Sequence, residues 1–153
     1  MVTGIDLVKE QIKVASGKRL SFQQSDIVFK GHAIEARLYA ENPNNDFLPE
    51  TGTIANLSFS NLANIRWDSG IKKGDKVTPD FDPMLAKVIS FSETREESAN
   101  ILSKELKSIH LPGVITNKDF LIGCLENKSF LSGKTTSDFI AREYKKLFPL
   151  KDK

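Results

Sequence analysis

The sequence predicts an α+β fold, an antiparallel β-sheet core flanked by an N-terminal helix and C-terminal helices. Three observations carry that reading. Apolar residues recur at helical spacing over the first 17 positions, short runs rich in Ile, Val, Phe and Thr separated by turn clusters fill the middle, and helical spacing returns from Thr94 onward. No internal repeat or low-complexity segment breaks this order.

Met1 to Gly17 reads as one helix: Thr3 caps it with Asp6 three residues on, and Ile5, Val8, Ile12 and Ala15 share a face. Gly17 supplies its stop. Strands are expected near Ile27 to Tyr39, Gly52 to Ser60, Ile65 to Asp68, Lys76 to Val77 and Leu85 to Phe91, divided by clusters such as Asn42-Pro43-Asn44-Asn45-Asp46 and Lys72-Lys73-Gly74-Asp75. Their short connections imply antiparallel pairing. Thr94 and Glu97 then form a capping box ahead of an Ala99, Leu102, Leu106 and Ile109 stripe, which Pro112-Gly113 stops. Thr116 and Asp119 open a helix carrying Phe120, Leu121, Cys124 and Leu125. A last helix runs from about Ser137 with Ile140, Tyr144, Leu147 and Phe148 inward, and Pro149 to Lys153 reads as a frayed end.

Composition narrows the function. The 153 residues hold 22 Lys+Arg against 20 Asp+Glu, a net charge of +2, and are 39% hydrophobic, which fits one ordinary domain or a piece of a larger one. The dispersed basic residues argue against a nucleic-acid stripe. No run approaches the roughly 20 apolar residues of a membrane span, and no signal-peptide pattern opens the chain. Cys124, the single cysteine, excludes an internal disulfide and a multi-thiolate metal site, and suits a reducing compartment.

Several motifs invite chemistry. Ser132-Gly133-Lys134-Thr135 has the ending of a phosphate loop, but Lys128 stands where the first glycine belongs and a helical segment precedes it. His32 and His110 lie far apart without zinc-like spacing, no serine sits in a Gly-x-Ser-x-Gly elbow, and Cys124 reads as a small buried hydrophobe. The segment from Gly31 to Pro43 says more. As a strand it puts Glu35, Arg37 and Tyr39 on one face and Ile34, Ala36 and Leu38 on the other. A guanidinium held mid-strand beside a carboxylate suits recognition of an anionic or planar oxygen group; an exposed ion pair is the plainer alternative. Asp82, in Asp80-Phe81-Asp82-Pro83-Met84, either orients a neighbouring cation or serves simple turn chemistry.

These residues also carry a resemblance. Gly31-His32-Ala33-Ile34-Glu35-Ala36-Arg37-Leu38-Tyr39-Ala40-Glu41, Phe47-Leu48-Pro49, Gly52, Asp68-Ser69-Gly70, Gly74 and Phe81-Asp82-Pro83-Met84-Leu85-Ala86-Lys87 resemble the C-terminal domain of biotin carboxylase. The opening Met1 to Val8 and Thr116-Asn117-Lys118-Asp119-Phe120-Leu121 match in the same order, so the resemblance covers nearly the whole chain. In style it is most similar to the acyl-CoA carboxylase α subunits.

The resemblance implies a ligase component. In that family, bicarbonate and ATP with two divalent metal ions, Mg or Mn, give carboxyphosphate, whose carbon dioxide is captured by a ureido nitrogen of biotin on a carrier domain. Arg37 matches the arginine that faces the ureido oxygen, and Asp82 the acidic residue close to it, read as orienting Arg37. Glu35 is a weaker supporting candidate on the same strand face, and Arg66 matches an arginine at the subunit interface of bacterial members. Phe81 stands where tyrosine is common, and Ala63 replaces a bulkier interface residue.

The resemblance assigns residues 1–18 to the end of a preceding ATP-binding domain, 19–148 to the C-terminal domain and 149–153 to the tail. It places the ATP lysines and metal-binding glutamates upstream of Met1, so the chain by itself is expected neither to hydrolyse ATP nor to carboxylate biotin. Implied partners are the ATP-binding part of the same enzyme, a biotin carrier domain, a carboxyltransferase component and a second copy in a homodimer. The implied compartment is the bacterial cytoplasm or the mitochondrial matrix. A non-catalytic docking module for a carrier domain or partner subunit is the alternative class.

Overall fold

The computed structural model describes residues 1–60 and 62–147, with backbone alone at 145–146. The expectations for Phe148 and for the Pro149 to Lys153 tail fall outside the described residues.

Helix α1 spans Leu7–Ala15 and begins later than the sequence pattern suggests. Asp6, not Thr3, is its cap: the Asp6 carboxylate accepts from the Lys9 N–H at 2.9 Å, while Thr3 accepts only from the Ile5 N–H. Gly17 does end it, at φ 78°, with the Gly17 and Lys18 amides closing on Val14 and Lys13 carbonyls. The apolar stripe on this helix is exposed, with Val8 at 66% and Ile12 at 63%. Glu10 is the buried residue of this helix, where it pairs Lys13 at 2.7 Å and accepts from both the amide and hydroxyl of Ser21.

The sheet is antiparallel, as expected. Strands β1 (His32–Tyr39), β2 (Glu41–Asn42), β3 (Leu48–Pro49), β4 (Gly52–Thr53), β5 (Ile65–Ser69), β6 (Lys76–Val77) and β7 (Met84–Ser92) form a three-stranded sheet in order β1-β7-β5 and the pairs β2-β3 and β4-β6. The run expected from Ile27 extends only from His32, because Gly31 turns the chain at φ 62°. A methyl there would meet the Ser92 carbonyl at 2.4 Å, so only glycine fits. The Gly52 to Ser60 run keeps two strand residues. Beyond them Ile54 bonds Asp75 and Ala55 bonds Pro112, loop partners in place of a ladder.

Helix α2 (Arg95–Ser108) covers one face of the sheet, and α3 (Lys118–Glu126), α4 (Lys128–Leu131) and α5 (Phe139–Leu147) follow. Thr94 caps α2 by accepting from the Glu97 N–H; the Glu97 carboxylate accepts from the Ser92 hydroxyl. The predicted stripe is the core: Ala99, Leu102 and Leu106 are fully buried against Ile34, Ala36, Ile65 and Val88, joined by Ile109 and Leu125. Trp67 donates to Glu105 at 3.0 Å, and Ser98 to the His32 carbonyl at 2.6 Å, so the helix is also tied to the sheet by polar bonds. In α5 Leu147 is buried and Tyr144 half-buried as expected, but Ile140 is 46% exposed and Phe139 takes the inward place. The Ser132 to Thr135 segment is the end of α4, with Gly133 at φ 72° and its amide bonded to Phe130. Helix C-terminal carbonyls repel anions, so it is no phosphate loop.

Two outcomes follow for stability. Leu102→Ala should cost about 2–5 kcal/mol in urea unfolding, whereas Ile12→Ser on the exposed face should change it by less than about 0.5 kcal/mol; equal effects would contradict the assigned core. The Lys13 ammonium and the Ser21 donors hold the Glu10 carboxyl down at about 2 from an ordinary 4.5. The unfolded chain therefore binds that proton more readily, so the contribution is present above pH 4.5 and is lost as pH falls toward 2. Glu10→Gln should accordingly flatten the acid side of the stability profile, read as the urea midpoint between pH 7 and 3.

Candidate functional site

Alternation along β1 builds the site. Ile34, Ala36 and Leu38 are 8%, 4% and 1% exposed and face the helices, which turns Glu35 and Arg37 to the open face. Register extends this across the sheet: Arg37 pairs Lys87, which pairs Asp68, and Glu35 pairs Ile89, which pairs Arg66. The open face is thus a platform of alternating charge.

Arg37 donates from Nε to Glu35 at 3.1 Å, and both side chains remain well exposed, at 58% and 41%. Glu35 first, and then Tyr39, raise the Arg37 pKa and favour its charged form. Arg66 grips Asp68 bidentately at 2.8 and 2.6 Å, which holds the Asp68 carboxyl below its ordinary range. Such exposed pairs add little stability. What they fix is direction, since each guanidinium is anchored to the same rigid strand that carries it.

Asp82 lies beside the end of β1, where the Ala40 amide bonds the Pro83 carbonyl at 2.9 Å. Its carboxylate accepts from the Met84 N–H at 2.8 Å, and among the described residues it makes no ion pair with Arg37. Its charge is felt instead by Glu41, whose carboxyl is pushed up by burial first and by Asp82 second. The structure therefore brings Glu35 and Arg37 together, sets Arg66 two strands away on the same face, and places Asp82 at the rim beyond Tyr39. Phe81 is 82% exposed.

A groove of about 390 Å³ runs along the free edge of β1. Glu35, Arg37, Tyr39 and Glu41 form its polar side, and Phe120, Leu121, Phe130 and Ile140 its apolar side. Asp46 and Phe47 both adopt left-handed backbone, at φ 47° and 56°, and this tucks the Phe47 ring against Phe120 at 5.0 Å on the groove wall. The sequence shows Phe120, Leu121 and Ile140 as apolar helix positions, and Phe47 and Asn117 only within the runs that carry the resemblance; that they form one wall, lined also by Asn117, is not legible, because their partners are distant in sequence.

Comparison with known proteins decides the family. The model of the biotin carboxylase C-terminal domain matches residues 35–142. The chain belongs to the biotin carboxylase C-terminal domain family. It is 36% identical over 150 residues to the mitochondrial methylcrotonoyl-CoA carboxylase subunit alpha of Rattus norvegicus, covering 97% of this chain and 21% of that protein. It is 41% identical over 140 residues to biotin carboxylase 1 of Bacillus subtilis, covering 92% of this chain and 31% of that one. In structure it superposes with TM-score 0.93 and 33% identity on the biotin carboxylase domain of Hydrogenobacter thermophilus 2-oxoglutarate carboxylase, a dimer in complex with MgADP, ADP and bicarbonate, over 99% of this chain and 33% of that one. The chain thus spans between a fifth and a third of these relatives.

In this C-terminal domain Cys124 is half-buried on the groove, and burial pushes its thiol up to about 11. It packs beside Phe120 and Phe139 as a small hydrophobe. Alkylation of the folded chain by iodoacetamide should be slow at pH 8 and rise only as pH approaches 11, and should become fast in urea; rapid alkylation of folded protein at pH 8 would contradict this.

Proposed function

We propose that this chain supplies the biotin-side wall of a biotin carboxylase active site. The observation that carries the reading is the Glu35–Arg37 pair, set on a rigid strand face at the rim of a groove whose other lining is mainly apolar. Glu35 engages one guanidinium N–H, and a guanidinium has five to offer. The remainder can meet an oxygen on a planar ring. When a ureido nitrogen of biotin loses its proton, charge gathers on the ureido oxygen, and a fixed cation stabilises that state more than the ground state. Asp82, beside Glu41 past the end of β1, is the acidic residue this reading assigns to orienting Arg37 in the complete enzyme; in this structure its carboxylate holds the Met84 amide.

The family's other ligand, ATP with its metal, is assigned in this reading to a different part of the enzyme. Among the described residues no group of three or more His, Cys, Asp or Glu is placed to hold a metal ion. Binding of ATP with Mg or Mn, and formation of carboxyphosphate, are therefore proposed for the ATP-binding part of the same enzyme. Beyond that part, the proposed partners are a biotin carrier domain, a carboxyltransferase component and, through Arg66 on the open sheet face, a second copy. The proposed compartment is the cytoplasm if the source is bacterial and the mitochondrial matrix if it is eukaryotic.

The docking reading has its own observation. Leu7, Val8, Ile12, Val14 and Leu20 of the α1 region are more than half exposed, and Leu7, Val14, Leu20 and Phe22 line a shallow apolar groove. We take that face as packing against the rest of the ATP-binding part, to whose end residues 1–18 are assigned, so that docking and catalysis are two uses of one chain. The test is Arg37→Ala in the complete enzyme, with the isolated chain as a control showing no ATP turnover. Biotin-dependent turnover should fall by about 10²–10³ while ATP binding and melting temperature hold; an undiminished rate would refute the assignment.

A further inference from the structure

The backbone that carries Arg37 lies on a free edge. Strand β1 pairs β7 on one side only, and on the other its N–H and C=O groups would face the groove. At the residues that matter this edge is closed by one side chain. Asn117 Oδ1 accepts from the Tyr39 N–H at 2.9 Å, and Asn117 Nδ2 donates to the Arg37 carbonyl at 3.2 Å. The Asn117 backbone N–H donates to the Tyr39 carbonyl at 3.1 Å. One residue therefore makes three bonds to two consecutive edge positions, as a neighbouring strand would.

Asn117 itself is firmly held. It is 5% exposed, and its carbonyl starts α3 by accepting from the Leu121 amide. Upstream, Gly113 lies against β4 so closely that a methyl would meet the Thr53 carbonyl at 2.0 Å. Lys118, the next residue, donates to the Ile109 carbonyl at 3.0 Å. An amide fits this place for a chemical reason. It is the side chain that offers an acceptor and a donor at equal reach, matching an N–H and a C=O two residues apart on a strand edge. As the residue preceding α3 it spends none of this capacity on capping, for its side chain makes no bond to that helix.

We infer that Asn117 is a positioning residue for the reaction, fixing the Arg37 backbone at the groove by acting as a substitute strand partner. The inference rests on the reading of Arg37 given above. Without Asn117 the edge is free to fray where β1 also loses regular register, at the bulge between Leu38 and Tyr39. Arg37 would then share its guanidinium with solvent over a wider arc.

The experiment compares Asn117→Asp and Asn117→Ser in the complete carboxylase, each made in the native background and in the Arg37→Ala background. Asn117→Asp keeps the acceptor for Tyr39 and removes the donor to Arg37; Asn117→Ser is too short for both. In the native background, biotin carboxylation should fall about 10–100-fold, while the KM for ATP and biotin-independent ATP turnover stay within about twofold. In the Arg37→Ala background neither variant should lower the rate further, because residues that act through one group are not additive. Loss by the same factor in both backgrounds, parallel loss of ATP turnover, less than a twofold effect, or failure of both variants to fold would overturn the inference. An undiminished Arg37→Ala rate would take down the reading of Arg37 and this inference together. Loss with Arg37→Ala but not with either Asn117 variant would take down this inference alone.

Discussion

The antiparallel register of β1 on β7 is the constraint on which the rest of the molecule depends. Side chains alternate along a strand, so pairing Arg37 with Lys87 and Ala36 with Val88 sends the guanidinium outward and the methyl into the helix layer. A slip by one residue would reverse both, placing a charge among Leu102 and Leu106. The buried face therefore enforces the geometry of the exposed one. Stability is generated on the α2 side of the sheet and used on the other, where the charged pairs contribute little of their own.

The end of that register is as informative as its middle. Leu38 pairs Ala86 and Tyr39 pairs Met84, so β7 carries Leu85 as an extra residue, and Leu85 and Ala86 are both buried. Past this bulge the two chains stay joined through the Ala40 to Pro83 bond, which brings Glu41 and Asp82 near one another. Two acidic groups near one strand end and two arginines on one face give the open surface a strong local pattern within a chain of net charge +2.

Much of this was legible in the sequence wherever the cause is local. The two faces of β1, the Thr94 cap, the α2 stripe and the Gly17 stop each depend on residues within a few positions of one another, and each stands in the structure. Arg37 and Glu35 were legible for the same reason, being two apart on one strand. What escaped depends on distant partners. Asn117 meets Tyr39 and Arg37 across 78 and 80 positions, and Tyr144 reaches the Pro43 carbonyl across 101. The exposure of the α1 stripe was not legible, because amphipathic spacing reports that a face is apolar and says nothing of what covers it. The long Gly52 to Ser60 strand failed because β-prone residues there find loop carbonyls in place of a partner strand.

The central claim is that Arg37 meets the ureido oxygen of biotin. The most direct measurement is a crystal structure of the complete enzyme with biotin and bicarbonate bound. The account predicts a guanidinium nitrogen of Arg37 about 2.7–3.2 Å from that oxygen, with Glu35 still on Nε and Asn117 still on the Arg37 carbonyl. Biotin bound away from the β1 face, with Arg37 engaged by protein groups alone, would contradict it.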